Sequence, residues 1–280
     1  MLVIETISDL SDQIANAKSL GRSIGFVPTM GALHPGHVHL VEKAAEVADI
    51  VVVSIFVNPT QFNNPNDLLK YPKTLEADCQ LLEGKADIVF APQVSEMYTR
   101  VESKSWDFGL LTSSLEGHYR PGHFDGVCTI VQKLLVLVRP DCAFFGKKDY
   151  QQLAVIQALV KAESLPVRIV PCDTVREADG LAMSSRNMRL SPQQRKDALL
   201  ISQTLMLLVS KKEDLEVSAM VELGVSKFNS SSGLSLEYLA IVDATTFEPV
   251  LDKKRNPKAV ILIAAFADDI RLIDNMELVW

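Results

Sequence analysis

The 280-residue sequence lacks any long hydrophobic run; its longest uninterrupted apolar stretch, Ala259 to Ala267, is too short to span a bilayer, and no membrane contact is expected. It also lacks an excess of basic residues. With 28 Lys and Arg against 35 Asp and Glu the net charge is −7, which argues against a nucleic-acid-binding surface. A local basic pocket for phosphates stays compatible with that balance. Cysteine is scarce and unpatterned: Cys79, Cys128, Cys142 and Cys172 are scattered, and read as reduced, mostly buried thiols of a cytoplasmic protein. The start, Met1-Leu2-Val3-Ile4-Glu5-Thr6, has no basic n-region and passes into a polar helical stretch, so no targeting segment is expected. Internal repeats and low-complexity tracts are missing as well. What is there is an ordinary globular composition, 48% hydrophobic and 22% charged, at a length suited to one large domain or a large and a small one.

Short β-rich runs alternate with helical patterns through the first two-thirds. The strands are expected at Ser23–Val27, Ile50–Val57, Ile88–Ala91, Cys142–Phe145 and Val167–Pro171, with helices at Val38–Val47, Leu75–Glu83, Phe124–Val138 and Tyr150–Glu163 between them. Near-continuous apolar strands such as Ile50 to Val57 are typical of sheets covered on both faces. The alternation predicts an α/β fold, a Rossmann-like doubly wound parallel sheet whose ligand crevice lies beyond the carboxyl ends of the strands. After Ser185 the pattern changes. Ser191-Pro192 opens a helix to about Lys211, a second helix covers Val217 to Phe228, Ser230 to Gly233 breaks the chain, and strands follow at Leu236–Val242 and Ala259–Phe266 before a short end containing Arg271-Leu272-Ile273. This predicts a larger domain over residues 1–180 and a smaller α+β domain over 181–280 that acts as a lid, with the polar, small-residue junction Ala178 to Asn187 as hinge and active-site wall.

One segment carries most of the chemistry. Pro28-Thr29-Met30-Gly31-Ala32-Leu33-His34-Pro35-Gly36-His37 follows the apolar run Ile24–Val27 and precedes a helical pattern at Val38, Leu40, Val41, Ala44 and Ala45. Strand, small-residue turn and helix N-terminus is the expected order, and the unpaired N–H groups of a helix start suit phosphate. Pro35 fits a first helical turn, and the spacing of His34 and His37 lets both project from one face of it. Paired imidazoles beside an anion site point to chemistry on a nucleotide. Zinc is the alternative use of two histidines, but no Cys or carboxylate completes a nearby set.

Further clusters fall at other strand ends. In Phe145-Gly146-Lys147-Lys148-Asp149-Tyr150-Gln151-Gln152, Gly146 permits close backbone approach, Lys148 offers a point charge for phosphate, Asp149 can accept ribose hydroxyls or hold a lysine, and Gln152 faces the same crevice. Met183-Ser184-Ser185-Arg186 groups hydroxyls with a guanidinium on a segment expected to be flexible, a composition suited to gripping polyphosphate. Asn58 and Gln61, in Phe56-Val57-Asn58-Pro59-Thr60-Gln61-Phe62, place neutral amides at the crevice, which orient a carboxylate without suppressing its nucleophilicity as an arginine clamp does. Arg120 and His123 read as loop lining. Each cluster alone admits a plainer reading, as a solvated charged turn or a capping serine pair.

Taken in order, PTMGALHPGH, FVNPTQF, EGHYRPGHFDGV, FGKKDYQQ and READGLAMSSRN, running from Ile24 to Asn187, closely resemble the signature blocks of the pantoate–β-alanine ligase (pantothenate synthetase) family. The C-terminal third matches in length and character with weaker signatures. The first and last blocks also look like the ATP-binding signatures of the wider nucleotidylyltransferase and class I tRNA-synthetase superfamily. The resemblance implies a cytoplasmic homodimer that uses ATP, Mg²⁺, pantoate and β-alanine in a two-step ligation of vitamin B5 and coenzyme A biosynthesis. Pantoate carboxylate attacks the α-phosphorus to give pantoyl adenylate and pyrophosphate, and the β-alanine amine then displaces AMP. Carried over position by position, Met30, Gly31, Ala32, Leu33, His34, Pro35, Gly36 and His37 line ATP, with His37 the proton-donating catalytic residue. Gly146, Lys147, Lys148 and Asp149 hold the nucleotide, as do the Val175 backbone and Met183, Ser184, Ser185 and Arg186. Gln61 and Gln152 bind pantoate, and Gln61 also lies near β-alanine. His34, Lys148 and Arg186 join His37 as the groups expected to stabilise charge during reaction. Relatives often carry neighbouring acidic residues after the YPKT-like turn, one of which can meet Mg²⁺; here the stretch reads Glu76-Ala77-Asp78, leaving Asp78 as the candidate ligand. Lys147 stands where relatives vary, so its backbone matters more than its side chain.

Two rival functions are weighed against this. Another adenylyltransferase that makes a dinucleotide needs a basic pocket for a second phosphate, whereas the paired glutamines favour a carboxylate acceptor. A non-catalytic nucleotide-sensing module has no need of so many charge stabilisers.

Overall fold

The computed structural model describes residues 1–231 and 233–280, so Ser232 of the expected break at Ser230–Gly233 lies outside the described residues. Two compact units emerge, one of Met1–Lys147 and Gln151–Asp173, the other of Lys148–Tyr150 and Thr174–Trp280.

In the first unit the order is β1 (Leu2–Ile4), α1 (Ile7–Ser19), β2 (Ile24–Thr29), α2 (Pro35–Ala45), β3 (Ile50–Ile55), α3 (Leu75–Leu82), β4 (Ile88–Phe90), α4 (His123–Val138), β5 (Cys142–Gly146), α5 (Tyr150–Ala162) and β6 (Arg168–Cys172), with short turns of helix between. The strands form one six-stranded sheet in the order β1-β4-β3-β2-β5-β6, every pair parallel. Strand sequence explains the placement. β3, Ile50-Val51-Val52-Val53-Ser54-Ile55, is apolar on both faces and sits inside the sheet, with Val51, Val52 and Val53 buried. One face packs Phe26, Phe90, Val52 and the α1 and α4 stripes; the other packs Val27, Val53, Phe144 and the α2 residues Val41 and Ala44. α1 shows the usual amphipathic logic: Thr6 caps it by accepting from Asp9 N–H at 3.1 Å, and Leu10, Ile14 and Ala17 form its buried stripe.

The strand order reverses direction between β2 and β5. That is the topological switch point, where open parallel sheets leave a crevice beyond their carboxyl ends. Phe26 pairs with Ala143 in register, and three residues further along each strand come Thr29 and Gly146. The histidine turn and the lysine turn therefore leave adjacent strands on the same side.

In the second unit α6 (Pro192–Ser210) and α7 (Val217–Asn229) precede a three-stranded antiparallel sheet, β7 (Ser235–Asp243), β8 (Lys258–Ala267) and β9 (Ile270–Val279). α6 starts with a reciprocal cap: Gln194 N–H donates to Ser191 Oγ at 3.2 Å, and Ser191 N–H donates to Gln194 Oε1 at 2.8 Å. Ile201, Leu205, Leu208, Met220 and Phe228 bury against Ile261, Ile263 and Ala265.

The expected α/β class, with its Rossmann-like doubly wound sheet and smaller α+β domain, is the fold observed. Two strands escaped the sequence reading, β1 at the sheet edge and β9 in the stretch read as a short end. No described helix is long and apolar enough to cross a membrane.

One close approach fixes the front of the first unit. A Cβ at Gly126 of α4 would lie 2.3 Å from the Thr60 carbonyl oxygen and 2.6 Å from Gln61 N, so only glycine lets α4 touch the Pro59–Gln61 turn. Gly126→Ala is expected to lower the unfolding free energy by about 1–3 kcal/mol, seen as a reduced urea midpoint at unchanged m-value.

Candidate active site

The turn after β2 is built around a buried carboxylate. Gly31 (φ +80°) and Ala32 (φ +50°) are both left-handed, a conformation that costs a non-glycine residue roughly 1–2 kcal/mol. Asp78 of α3, 2% exposed, holds them there. Its Oδ2 accepts from Ala32 N–H at 3.0 Å, and its Oδ1 from Leu33 N–H at 2.8 Å and Thr74 Oγ1 at 3.2 Å. Gly31 N–H donates to Thr29 Oγ1 at 3.2 Å, whose hydroxyl in turn donates to the Ser54 carbonyl at 2.7 Å. The N–H groups of Gly31, Ala32 and Leu33 point inward to protein acceptors.

The anion site expected from sequence lies further on, at the start of α2, where the side chains of His34 and His37 are half-buried. Their ring centroids are 4.0 Å apart with planes tilted by 39°. His34 N–H donates to His37 Nδ1 at 3.3 Å. A backbone N–H can only donate, so Nδ1 is the unprotonated nitrogen and the neutral His37 ring carries its proton on Nε2. His37 thus presents an N–H donor on the edge of the ring away from its own backbone contact.

Beside this pair lies an amide cluster. Asn58, 1% exposed, and Gln61, 9% exposed, sit on the turn after β3. Asn58 Nδ2 donates to Gln61 Oε1 at 3.2 Å, and Gln61 Nε2 contacts Met30 Sδ at 2.8 Å. The structure therefore joins Met30 of the histidine turn to Gln61. Of the two adjacent glutamines on α5, Gln151 is structural: its oxygen accepts from Glu116 N–H at 3.1 Å and its nitrogen donates to the Ser114 carbonyl at 2.8 Å. Gln152 is half-buried on the next position. Arg120 and His123 serve the fold. Arg120 pairs with Glu116 at 3.3 Å, and the buried His123 places Nδ1 2.8 Å from the Gln61 carbonyl, to which it donates.

At the end of β5, Gly146 and Lys147 close the first unit, with Lys147 Nζ 3.0 Å from Asp173. The other expected nucleotide contacts belong to the second unit. The Lys148 carbonyl accepts from Asn275 Nδ2 at 2.8 Å, and Lys148 Nζ lies 3.9 Å from Asp149. The Val175 carbonyl accepts from Met183 N–H at 3.0 Å, closing a hairpin. Arg176 locks that hairpin through a bidentate pair to Asp274 at 2.6 and 2.9 Å and a bond to the Gly180 carbonyl at 3.1 Å. Asn187 Nδ2 donates to the Ala182 carbonyl at 3.0 Å. Ser184 caps the Ser185–Arg189 turn, its Oγ accepting from Arg186 N–H at 3.3 Å; Ser185 is buried and Arg186 half-buried. The segment expected to be a hinge folds as a hairpin, braced by Arg176 to the Gly180 carbonyl, Asn187 to the Ala182 carbonyl, and Arg195 Nη2 to Glu177 and Asp179. Arg176, Asp274 and Asn275 were missed by sequence reasoning; the adjacent Asp-Asn pair in an apolar strand was their one visible signal.

Asp78, the metal ligand expected from sequence, has each of its oxygens accepting from a backbone N–H group, so it clamps the turn. Among the described residues no group of three His, Cys, Asp or Glu side chains is arranged to hold a metal ion. Burial pushes the Cys128 thiol up to about 12 and the Cys172 thiol up to about 11, which favours the protonated form of both. Asp78→Asn, which sets an NH₂ group against one of the two buried N–H donors, is expected to destabilise the fold by about 2–3 kcal/mol. Excess Mg²⁺ restoring activity to that variant would assign Asp78 the role of ligand.

Comparison with known proteins agrees with this geometry. Residues 2–277 match the family model described as Pantoate-beta-alanine ligase. A pantothenate synthetase of Bacteroides fragilis is 46% identical over 278 residues, covering 99% of each chain. The crystal structure of pantothenate synthetase from Thermus thermophilus superposes with a TM-score of 0.93 at 40% identity and 99% coverage of both chains. That of pantoate-beta-alanine ligase from Francisella tularensis, complexed with beta-gamma ATP and beta-alanine, gives 0.81 at 35% identity, covering 99% of this chain and 97% of that one. With a parallel sheet, a switch-point histidine turn and a family match along nearly its whole length, this chain belongs to the pantoate–β-alanine ligase family.

Proposed function

We propose that the protein condenses pantoate with β-alanine at the expense of ATP, through pantoyl adenylate. In the first step a pantoate carboxylate oxygen bonds to the α-phosphorus, the bond from that phosphorus to the bridging oxygen breaks, and pyrophosphate leaves. In the second the neutral β-alanine amine bonds to the acyl carbon, AMP departs with the carboxyl oxygen it carried, and the amine loses a proton to give the amide. Negative charge gathers on the α-phosphoryl oxygens and the departing pyrophosphate, so donors aimed there act most strongly.

The observation that carries this reading is the paired histidine turn at the switch point of the sheet, with His37 Nδ1 accepting from His34 N–H. His37 donates from Nε2 to a phosphoryl oxygen, and His34 stands beside it. Lys148 and Arg186 supply the fixed positive charge. Met30 to His37, Gly146 to Asp149, the Val175 backbone and Met183 to Arg186 line the nucleotide. Gln61 and Gln152 bind pantoate, with Gln61 also facing β-alanine. The neutral amides orient the carboxylate while leaving its lone pairs reactive. Mg²⁺ belongs to this reading as a companion of the triphosphate, which such ions favour over all-protein cages. The smaller α+β domain, residues 181–280, acts as a lid. A homodimer and a cytoplasmic location complete the family expectation.

Pyrophosphate release that requires pantoate but not β-alanine, followed by amide product detected by mass when β-alanine is added, is the expected result. His37→Ala should slow pyrophosphate release at saturating ATP by roughly 10²–10³. Adenylate formation at the unmodified rate in that variant removes His37 from the mechanism.

A further inference from the structure

We propose that Tyr98 is a positioning residue for pantoate: through Asn58 it fixes the Gln61 amide so that its nitrogen, and not its oxygen, is presented to the bound substrate. The proposal rests on Gln61 contacting pantoate as read above.

A carboxamide has two ends of nearly equal size, so its hydrogen-bond partners decide which end faces a ligand. At Asn58 they leave no choice. Its oxygen accepts from Tyr98 Oη at 2.8 Å, from Thr60 Oγ1 at 3.1 Å and from Thr60 N–H at 3.4 Å. Its nitrogen donates to the Gly126 carbonyl at 3.1 Å, a group that can only accept. Turning the amide over would set NH₂ against the Thr60 N–H and oxygen against the Gly126 carbonyl. The remaining Asn58 N–H therefore goes to Gln61 Oε1, at 3.2 Å. That commits the Gln61 oxygen inward and leaves its NH₂ group, one edge of which meets Met30 Sδ, as the presented end. A substrate atom at Gln61 must then be an acceptor, a carboxylate or hydroxyl oxygen.

Tyr98 makes the shortest of the bonds to the Asn58 oxygen and is itself firmly seated. It is 8% exposed, its ring centroid lies 6.2 Å from that of Phe56, and the Lys133 ammonium sits 5.4 Å from its ring while bonding the Met97 carbonyl. Burial raises the phenol pKa, which keeps the hydroxyl protonated and donating. Without that hydroxyl only the two longer Thr60 bonds hold the oxygen end of Asn58.

A double-mutant cycle separates this from a merely structural role. Tyr98→Phe should raise the pantoate KM about fivefold, the worth of one buried hydrogen bond, with the ATP KM unchanged. In a Gln61→Ala background the same change should leave the pantoate KM where Gln61→Ala alone puts it. Asn58→Asp, which cannot donate to Gln61, should raise the pantoate KM in the same selective way and supplies a second readout. Effects of Tyr98→Phe and Gln61→Ala that multiply, or losses equal for both substrates, overturn the proposal. If Gln61→Ala raises the pantoate KM and Tyr98→Phe does not, Tyr98 alone loses its role. If Gln61→Ala itself leaves that KM unchanged, the assignment of Gln61 fails and the proposal falls with it.

Discussion

A single buried carboxylate sets the geometry on which the active region depends. Asp78 sits out of water, where an ionised group is costly unless it is hydrogen-bonded, and the N–H groups of Ala32 and Leu33 with the Thr74 hydroxyl donate to it. That arrangement is reciprocal. The carboxylate needs the turn's donors, and the turn needs the carboxylate to hold consecutive left-handed residues at Gly31 and Ala32. Once the turn is fixed, Pro35 begins α2 and the imidazoles of His34 and His37 stack at its mouth. Strand order then completes the placement, because β2 and β5 are neighbours at the point where the sheet reverses.

Most of the architecture was legible in the sequence because both units obey simple periodicities. β2 and β3 read as apolar runs, α6 announced itself through Ser191-Pro192, and the order of elements implied parallel pairing. What escaped has physical reasons. β1 is three residues long at the sheet edge, with Leu2 and Val3 about half exposed, so it gives no pattern to detect. β9 carries Asp274 and Asn275 in buried positions, which breaks the expected alternation; their partners, Arg176 and the Lys148 carbonyl, lie 98 and 127 residues away. Asp78 was visible as a carboxylate, but spacing does not reveal which N–H groups it meets. Tyr98 was invisible for the same reason, since its bond to Asn58 spans 40 residues and no local motif marks it.

The site-forming residues share a habit: the groups nearest the proposed chemistry are oriented by hydrogen bonds from neighbouring residues. His37 takes a backbone N–H on Nδ1, Gln61 takes an Asn58 N–H on its oxygen, and the Gln61 backbone carbonyl takes the His123 Nδ1–H. Each of these contacts removes one of two chemical alternatives, a tautomer or an amide orientation, before any ligand arrives. Such preorganisation matters more than the number of charges nearby, because reorientation during reaction would consume the stabilisation that fixed dipoles provide. It also fits an overall acidic chain with only a few cations assigned to the reaction.

The Asn275 bond to the Lys148 carbonyl has a consequence for how the chain can be divided. Lys148–Tyr150 packs with the later unit although residues on both sides belong to the earlier one, so the backbone passes between the units at three places rather than once. A gene split at Asp173–Thr174 leaves that tripeptide on the wrong fragment, and the isolated C-terminal piece carries an asparagine amide stripped of its acceptor. Modular swapping among relatives must therefore transplant this short insertion together with the tail, as one inseparable cassette.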